Sequence, residues 1–210
     1  FEAQGFCSSP NVGSLRLLDD IFARNTQRLG DAPDWQRLAV ALALQSRLTI
    51  ISGGPGTGKT TTVVALLACL LEENPELRVS LAAPTGKAAA RMLEAVRRNA
   101  TSLPPEVRER LPGESFTLHR LLGATGEAGR FRHHRGNPLP LDALVVDEAS
   151  MLDLSLAVHL LEALPPHARL ILLGDKDQLA AVEAGAIFAE ISADASKSAE
   201  CLQALSGWVS

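Results

Sequence analysis

Lys59, Thr60, Asp147, Glu148 and Gln178 are residue types that together can cleave a phosphoanhydride. Lys59 and Thr60 close the run Gly53-Gly54-Pro55-Gly56-Thr57-Gly58-Lys59-Thr60. Its glycines let the backbone wrap round a phosphate with N–H groups turned inward. The Lys59 ammonium then reaches the outer phosphates, and the Thr60 hydroxyl takes a place on Mg²⁺. Asp147 holds the same ion directly or through water, and Glu148 is placed to polarise the attacking water as a general base. An uncharged amide at Gln178 either contacts the γ-phosphate or its water, or belongs to an ordinary polar turn. The expected cofactors are ATP and Mg²⁺. The expected nucleotide contacts are Gly54, Pro55, Gly56, Thr57, Gly58, Lys59, Thr60 and Thr61, with Thr60 and Asp147 on the metal.

Such chemistry needs elements that bring the two segments to one place. The glycine run follows an apolar stretch, Leu48-Thr49-Ile50-Ile51, and precedes Val63-Val64-Ala65-Leu66-Leu67. Strand, glycine loop and helix is the context that gives the pattern meaning, because the helix aims its positive end at the anion. Buried strands are expected at 78–83, 141–146 and 169–173, each an apolar run bounded by turn residues. Asp147-Glu148 ends one of them, and Gly174-Asp175-Lys176-Asp177-Gln178 ends another. In parallel sheets ligands gather at the carboxyl ends of strands. Thr85, Gly86 and Lys87, at the end of 78–83, therefore fall on the same edge as the glycine loop.

The other segments are helices and connections. Apolar residues at 15, 17, 18, 21, 22 and 29 predict an amphipathic helix over 15–29, after a polar tail. Asp34 is a plausible N-cap for a helix from Trp35 to about Gln45, and Asp153 for one over 154–164. Gln36 is either an ordinary helical glutamine or a reader of the adenine edge, since one amide both donates and accepts. Helix is also expected over 88–99, with a short charged helix after Pro104-Pro105. Residues 124–140 read as a loop or short hairpin. His133-His134, with no Cys or acid nearby, does not make a metal site.

The chain has 210 residues, 46% hydrophobic and 21% charged, enough for one globular α/β domain. Its first residue is Phe1 and it carries no secretory signal, so a piece of a longer cytoplasmic protein is expected. No apolar run approaches the roughly 20 residues of a membrane span. Cys7, Cys69 and Cys201 are widely spaced and odd in number, which fits a reducing compartment, and Cys69 reads as core. The formal net charge is −4, yet residues 86–135 hold ten Lys/Arg against five Glu, leaving −9 on the rest. That window is either a solvated charged face or a surface for an anionic polymer.

Taken together, the segments resemble a known family. GGPGTGKTTT (53–62) resembles motif I of superfamily 1 helicases. APTGKAAARM (83–92), TLHRLLG (117–123), VVDEASMLD (145–153) and LGDKDQLAAVEAG (173–185) resemble motifs Ia, Ic, II and III, in matching order and spacing. NPLPLDALVVDEASMLDL and AAVEAG point more narrowly to the RecD-type helicases, the alpha subunits of exodeoxyribonuclease V. The likeness covers roughly residues 34–191.

The resemblance implies a P-loop NTPase fold, a RecA-like three-layer α/β sandwich with a mainly parallel central sheet. It implies ATP hydrolysis coupled to 5′→3′ movement along single-stranded DNA, with partners of the exonuclease V beta and gamma kind. By resemblance Gln36 reads adenine, and Lys59, Thr60, Asp147, Glu148 and Gln178 are the ATPase residues. Thr85, Gly86, Lys87, Thr117 and His119 fall in motifs that touch the DNA strand. His119 thereby moves from a core reading to a DNA-side one. Family members place ATP between two RecA-like domains. The chain looks like the first: residues 1–33 precede it, 34–195 form it, and 196–210 begin the connection to a second. Motifs IV to VI, with their phosphate-neutralising arginines, are not in it. Alternatives are a stand-alone RecD-like or relaxase-associated helicase, or an ATP-binding assembly module with little turnover.

Overall fold

The computed structural model describes residues 10–29, 34–54, 56–126 and 130–175. Five strands form one sheet: β1 (Leu48–Ser52), β2 (Val79–Ala83), β3 (Ser115–Thr117), β4 (Ala143–Val146) and β5 (Arg169–Gly174). Their order is β1-β5-β4-β2-β3, and every neighbouring pair is parallel. All five carboxyl ends therefore lie on one edge. Ser52 pairs with Gly174 and Ala83 with Thr117, while the Asp147 N–H donates to the Ala82 carbonyl at 2.9 Å. The residues that follow these strands are thus brought together by register alone.

Side chains alternate across the pleat, as a sheet covered on both faces requires. Leu81, Val145, Ile171 and Leu173 pack with α1 (Val12–Leu29), α2 (Trp35–Gln45), α3 (Lys59–Glu73) and α4 (Gly86–Asn99). Ala82, Leu144, Val146, Leu170 and Leu172 pack with α6 (Leu118–Leu122) and α7 (Leu154–Ala163) on the other face. A one-turn helix, α5 (Pro105–Arg108), completes the set. This is the expected three-layer α/β arrangement around a parallel sheet. Its centre is α3, whose residues from Thr62 to Leu71 are all buried. Cys69 lies among them, and burial pushes its thiol up to about 12, a core role. No helix among the described residues is long and apolar enough to cross a membrane.

Local chemistry sets the helix starts. Asp34 Oδ1 accepts from the N–H groups of Gln36 and Arg37, and Asp153 Oδ1 from Leu156 N–H at 2.7 Å, so both expected caps form. α1 begins at Val12, three residues before the apolar pattern does, because Asn11 Oδ1 accepts from Ser14 N–H at 2.7 Å. The helix belongs to the main core: Leu18 and Phe22 are buried with α3. Ser14 Oγ donates to Glu73 at 2.8 Å, fastening its start to the end of α3. β4 starts at Ala143, later than the expected 141; Leu139 and Leu141 extend the apolar run as buried residues outside the ladder. Within 124–140, antiparallel bridges join Ala124 to Phe131 and His134 to Asn137, and the second of these pairings closes a short turn. His134 Nδ1 accepts from Gly136 N–H at 3.1 Å within that turn.

The opposite sheet edge is held by long-range polar contacts. Arg169 Nη1, at the start of β5, donates to the carbonyls of Ala43, Leu44 and Ser46, capping the end of α2. Asp142 accepts from the Arg78 guanidinium at 2.8 and 2.9 Å and lies 3.0 Å from His167 Nε2.

Candidate active site

The loop between β1 and α3 takes the conformation its glycines allow. Gly56 and Gly58 both have positive φ, at 77° and 84°, where side chains are disfavoured. Space above Gly54 and Gly56 is open, leaving a concave backbone wall. Gly58 is the N-cap of α3, so the helix's positive end opens directly onto this concavity. The Lys59 ammonium folds over the loop and donates to the carbonyls of Gly53 and Gly54. A charge poised over a cradle of open backbone fits a polyphosphate ligand. Thr60, partly exposed, follows in the first turn. The hydroxyl of Thr61 is turned away, 3.2 Å from Asn99 Oδ1 at the end of α4, which leaves only its backbone facing the loop side of the helix. Pro55 lies outside the described residues.

Two strands away, β4 delivers the acid pair. Burial pushes the Asp147 carboxyl above the usual aspartate range; the Glu148 N–H and the Lys59 charge act against that rise. The Lys59 charge is thus felt at Asp147, which ties the glycine loop to the end of β4. Among the described residues no three His, Cys, Asp or Glu side chains gather to hold a metal. One half-buried carboxylate beside a phosphate cradle instead fits Mg²⁺, which keeps waters and shares ligands with phosphate oxygens. Thr60 and Asp147 are the residues that would hold it.

Glu148 is the sole non-glycine residue with positive φ among the described ones, at φ 53° and ψ 38°. A left-handed glutamate stores roughly 1–3 kcal/mol and persists only where its surroundings enforce it. Here Asp147 Oδ1 accepts from Glu148 N–H at 2.9 Å, and the Glu148 carbonyl starts the 3₁₀ turn Ala149–Met151. Neither residue type nor spacing announces this conformation.

Gln36 sits against the glycine loop, from a helix that precedes β1. Its Nε2 donates to the Thr57 carbonyl at 3.0 Å, and its Oε1 accepts from Asn25 Nδ2 of α1 at 3.1 Å. Sequence reasoning missed Asn25, since nothing local marks it. Gln178 lies outside the described residues; β5, the strand leading toward it, ends at Gly174, whose carbonyl accepts from Gly53 N–H at 3.2 Å.

Further along the same edge the structure brings the two other segments together. Thr85 caps α4, accepting from Ala88 N–H at 3.2 Å, and Thr117 caps α6, accepting from Arg120 N–H at 3.2 Å. Gly86 lies next to Thr117, and Thr85, Gly86 and Lys87 are exposed. His119 is exposed, in ring contact with Phe131 at 5.9 Å, which rules out a core role. It lines a cleft of about 450 Å³ between α6, residues 124–126 and 130–131, and the start of α7.

Fold and site together define a nucleotide-binding P-loop protein. The chain belongs to the AAA domain family, which it matches over residues 36–184. It is 50% identical to the RecBCD enzyme subunit RecD of Mycolicibacterium smegmatis, covering 84% of this chain and 35% of that one. It is 47% identical to the ATP-dependent RecD2 DNA helicase of Deinococcus radiodurans, covering 66% of this chain and 17% of that one. Among solved structures it is similar in fold to the HK97 bacteriophage large terminase, with TM-score 0.51 at 15% identity over 79% of this chain and 37% of that one. The chain therefore spans about a third of the length of the RecD relative from M. smegmatis.

Proposed function

We infer that this chain is the first motor domain of an ATP-driven DNA helicase of the exonuclease V alpha-subunit type. The observation that supports this most directly is the parallel register that puts the glycine loop, the Asp147-Glu148 pair, Thr85–Lys87 and Thr117–His119 on one sheet edge. The 50% identity to a RecBCD subunit supports the narrower class. Residues 34–195 form the motor domain, with α1 docked on it, and 196–210 lead toward a second RecA-like domain.

Bound Mg²⁺ would neutralise charge on the transferring phosphoryl group. The chain's own part is positioning. The loop N–H groups and Lys59 hold the polyphosphate, and Gln36 reads the adenine. Glu148 accepts a proton from the attacking water, and Gln178 senses whether the γ-phosphate is present. The strand of DNA crosses the edge formed by Thr85, Gly86, Lys87, Thr117 and His119, and moves 5′→3′ as the two domains close and open. Beta and gamma subunits of an exonuclease V complex are the expected partners.

The test is ATP hydrolysis by the intact protein with and without single-stranded DNA, beside Lys59→Ala and Glu148→Gln. DNA-stimulated turnover lost in both variants supports the reading. Tight ATP binding with equal, negligible turnover in wild type and Glu148→Gln would instead identify an assembly module.

A further inference from the structure

The contact between α1 and Gln36 bears on how the site tells one nucleotide from another. Asn25 donates to Gln36 Oε1 at 3.1 Å, while Gln36 Nε2 donates to the Thr57 carbonyl at 3.0 Å. A backbone carbonyl only accepts, so the second contact fixes which amide atom faces the loop. Asn25 Nδ2 meets the other end, donating to the amide oxygen. Reversing the Gln36 amide would set oxygen against oxygen at Thr57 and, with Asn25 as it stands, nitrogen against nitrogen.

Asn25 is itself held in place. Its helix is anchored by Leu18 and Phe22 in the core and by Ser14 on Glu73. Arg37, one residue beyond Gln36, is paired with Asp19 of the same helix at 2.7 Å. The α1–α2 junction is thus clasped on both sides of Gln36.

We propose that Asn25 is a positioning residue that sets base selectivity by fixing the orientation of the Gln36 amide. This rests on the reading of Gln36 as the adenine contact. Each amide atom keeps one further hydrogen-bonding capacity after its internal contact. Adenine offers an amino donor and N7 as acceptor, which an amide with fixed polarity satisfies; guanine offers acceptors at both O6 and N7. An amide turned over would lose both contacts to adenine, whereas in either orientation it makes one contact to guanine, so the preference for adenine rests on the held orientation.

The experiment uses the intact protein and measures KM and kcat for ATP and for GTP in wild type, Asn25→Ala, Asn25→Asp and Gln36→Ala, with thermal melting of each. The carboxylate introduced by Asn25→Asp would repel Gln36 Oε1 and compete with Thr57 for Nε2. The expected result is about a fivefold fall in the ATP-to-GTP ratio of kcat/KM for Asn25→Asp, the scale of one hydrogen bond. KM for ATP should rise and kcat stay within about twofold, because the base lies far from the reacting phosphoryl group. Asn25→Ala should fall between it and wild type, and serves alone where the aspartate variant does not fold. A wild-type ratio in both Asn25 variants, with the ratio lost in Gln36→Ala, would overturn the role of Asn25 and leave the adenine reading standing. A wild-type ratio in Gln36→Ala would overturn the adenine reading and the proposal with it.

Discussion

The Gln36 amide rests on the α-carbon of Gly58 while it donates to the carbonyl of Thr57. A β-carbon on Gly58 would overlap Gln36 Nε2, and φ at this glycine is 84°. Two separate constraints therefore exclude a side chain. Gly58→Ala should lower Tm by about 2–6 °C, since a left-handed L-residue costs roughly 1–2 kcal/mol. It should also displace Gln36 and weaken nucleotide binding. Adding Gln36→Ala to Gly58→Ala removes the overlap but not the backbone strain, so part of the stability should return. Differential scanning fluorimetry on the single and double variants would check this; strict additivity would mean that the two residues do not press on each other.

Glu148 is the reverse case, a side chain kept where glycine would be easier. Glu148→Gly should raise Tm by about 2–4 °C, for relief of roughly 1 kcal/mol of left-handed strain. Turnover should fall by about 10²–10⁴ with loss of the general base. Glu148→Gln should match the loss of turnover without the gain in Tm. Paired melting and steady-state hydrolysis would decide it, and a Tm in Glu148→Gly at or below that of wild type would show that other contacts of Glu148 outweigh the strain.

What was legible in the sequence follows from what is local. The P-loop shows itself because glycine, lysine and threonine act within eight consecutive residues. Asp34 and Asp153 were readable as caps because a cap acts three residues away. The sheet order was not legible, since two of its four pairings join residues 64 and 122 apart, Val79 with Ala143 and Leu48 with Leu170. Nor was the capping of α2 by Arg169, which joins residues more than 120 apart. Asn25 and Gln36 are only 11 apart, yet they meet through a break between two helices, where periodicity says nothing. Thr85 is marked by its place on the edge and Thr117 by resemblance alone; their work as N-caps emerges only with the helix boundaries.

Asp142 gives the fold a pH dependence remote from the nucleotide. Its hydrogen bonds from Arg78 hold the carboxyl well below the usual carboxylate range, with His167 adding to the effect and burial opposing it. The ionised form is thus favoured on folding. The resulting stability is full above the unfolded aspartate pKa, about 3.9, and is lost as pH falls through the lower folded value. Asp142→Asn should therefore lower Tm by about 2–4 °C near pH 7, for roughly 1 kcal/mol. The gap should narrow below about pH 4. Melting curves of both proteins between pH 3 and 7 would check it; a gap that widened on acidification would reverse the assignment.

Lys87 tests the other half of the site. It stands exposed in the first turn of α4, next to Gly86 and the cap formed by Thr85. Its position at the edge, beside α6, suits one phosphate of a single strand. A phosphate contact carries no base information, so Lys87→Ala should weaken binding of all single-stranded oligonucleotides alike. The slope of log K against log salt should shrink by about 0.7, the counterion release of one contact on single-stranded DNA. His119→Ala, which removes an exposed ring beside Phe131, should weaken binding with the salt slope unchanged. Fluorescence anisotropy with the intact protein at several salt concentrations separates the two. An unchanged slope in Lys87→Ala would place the phosphate path elsewhere on the exposed basic residues between 87 and 135.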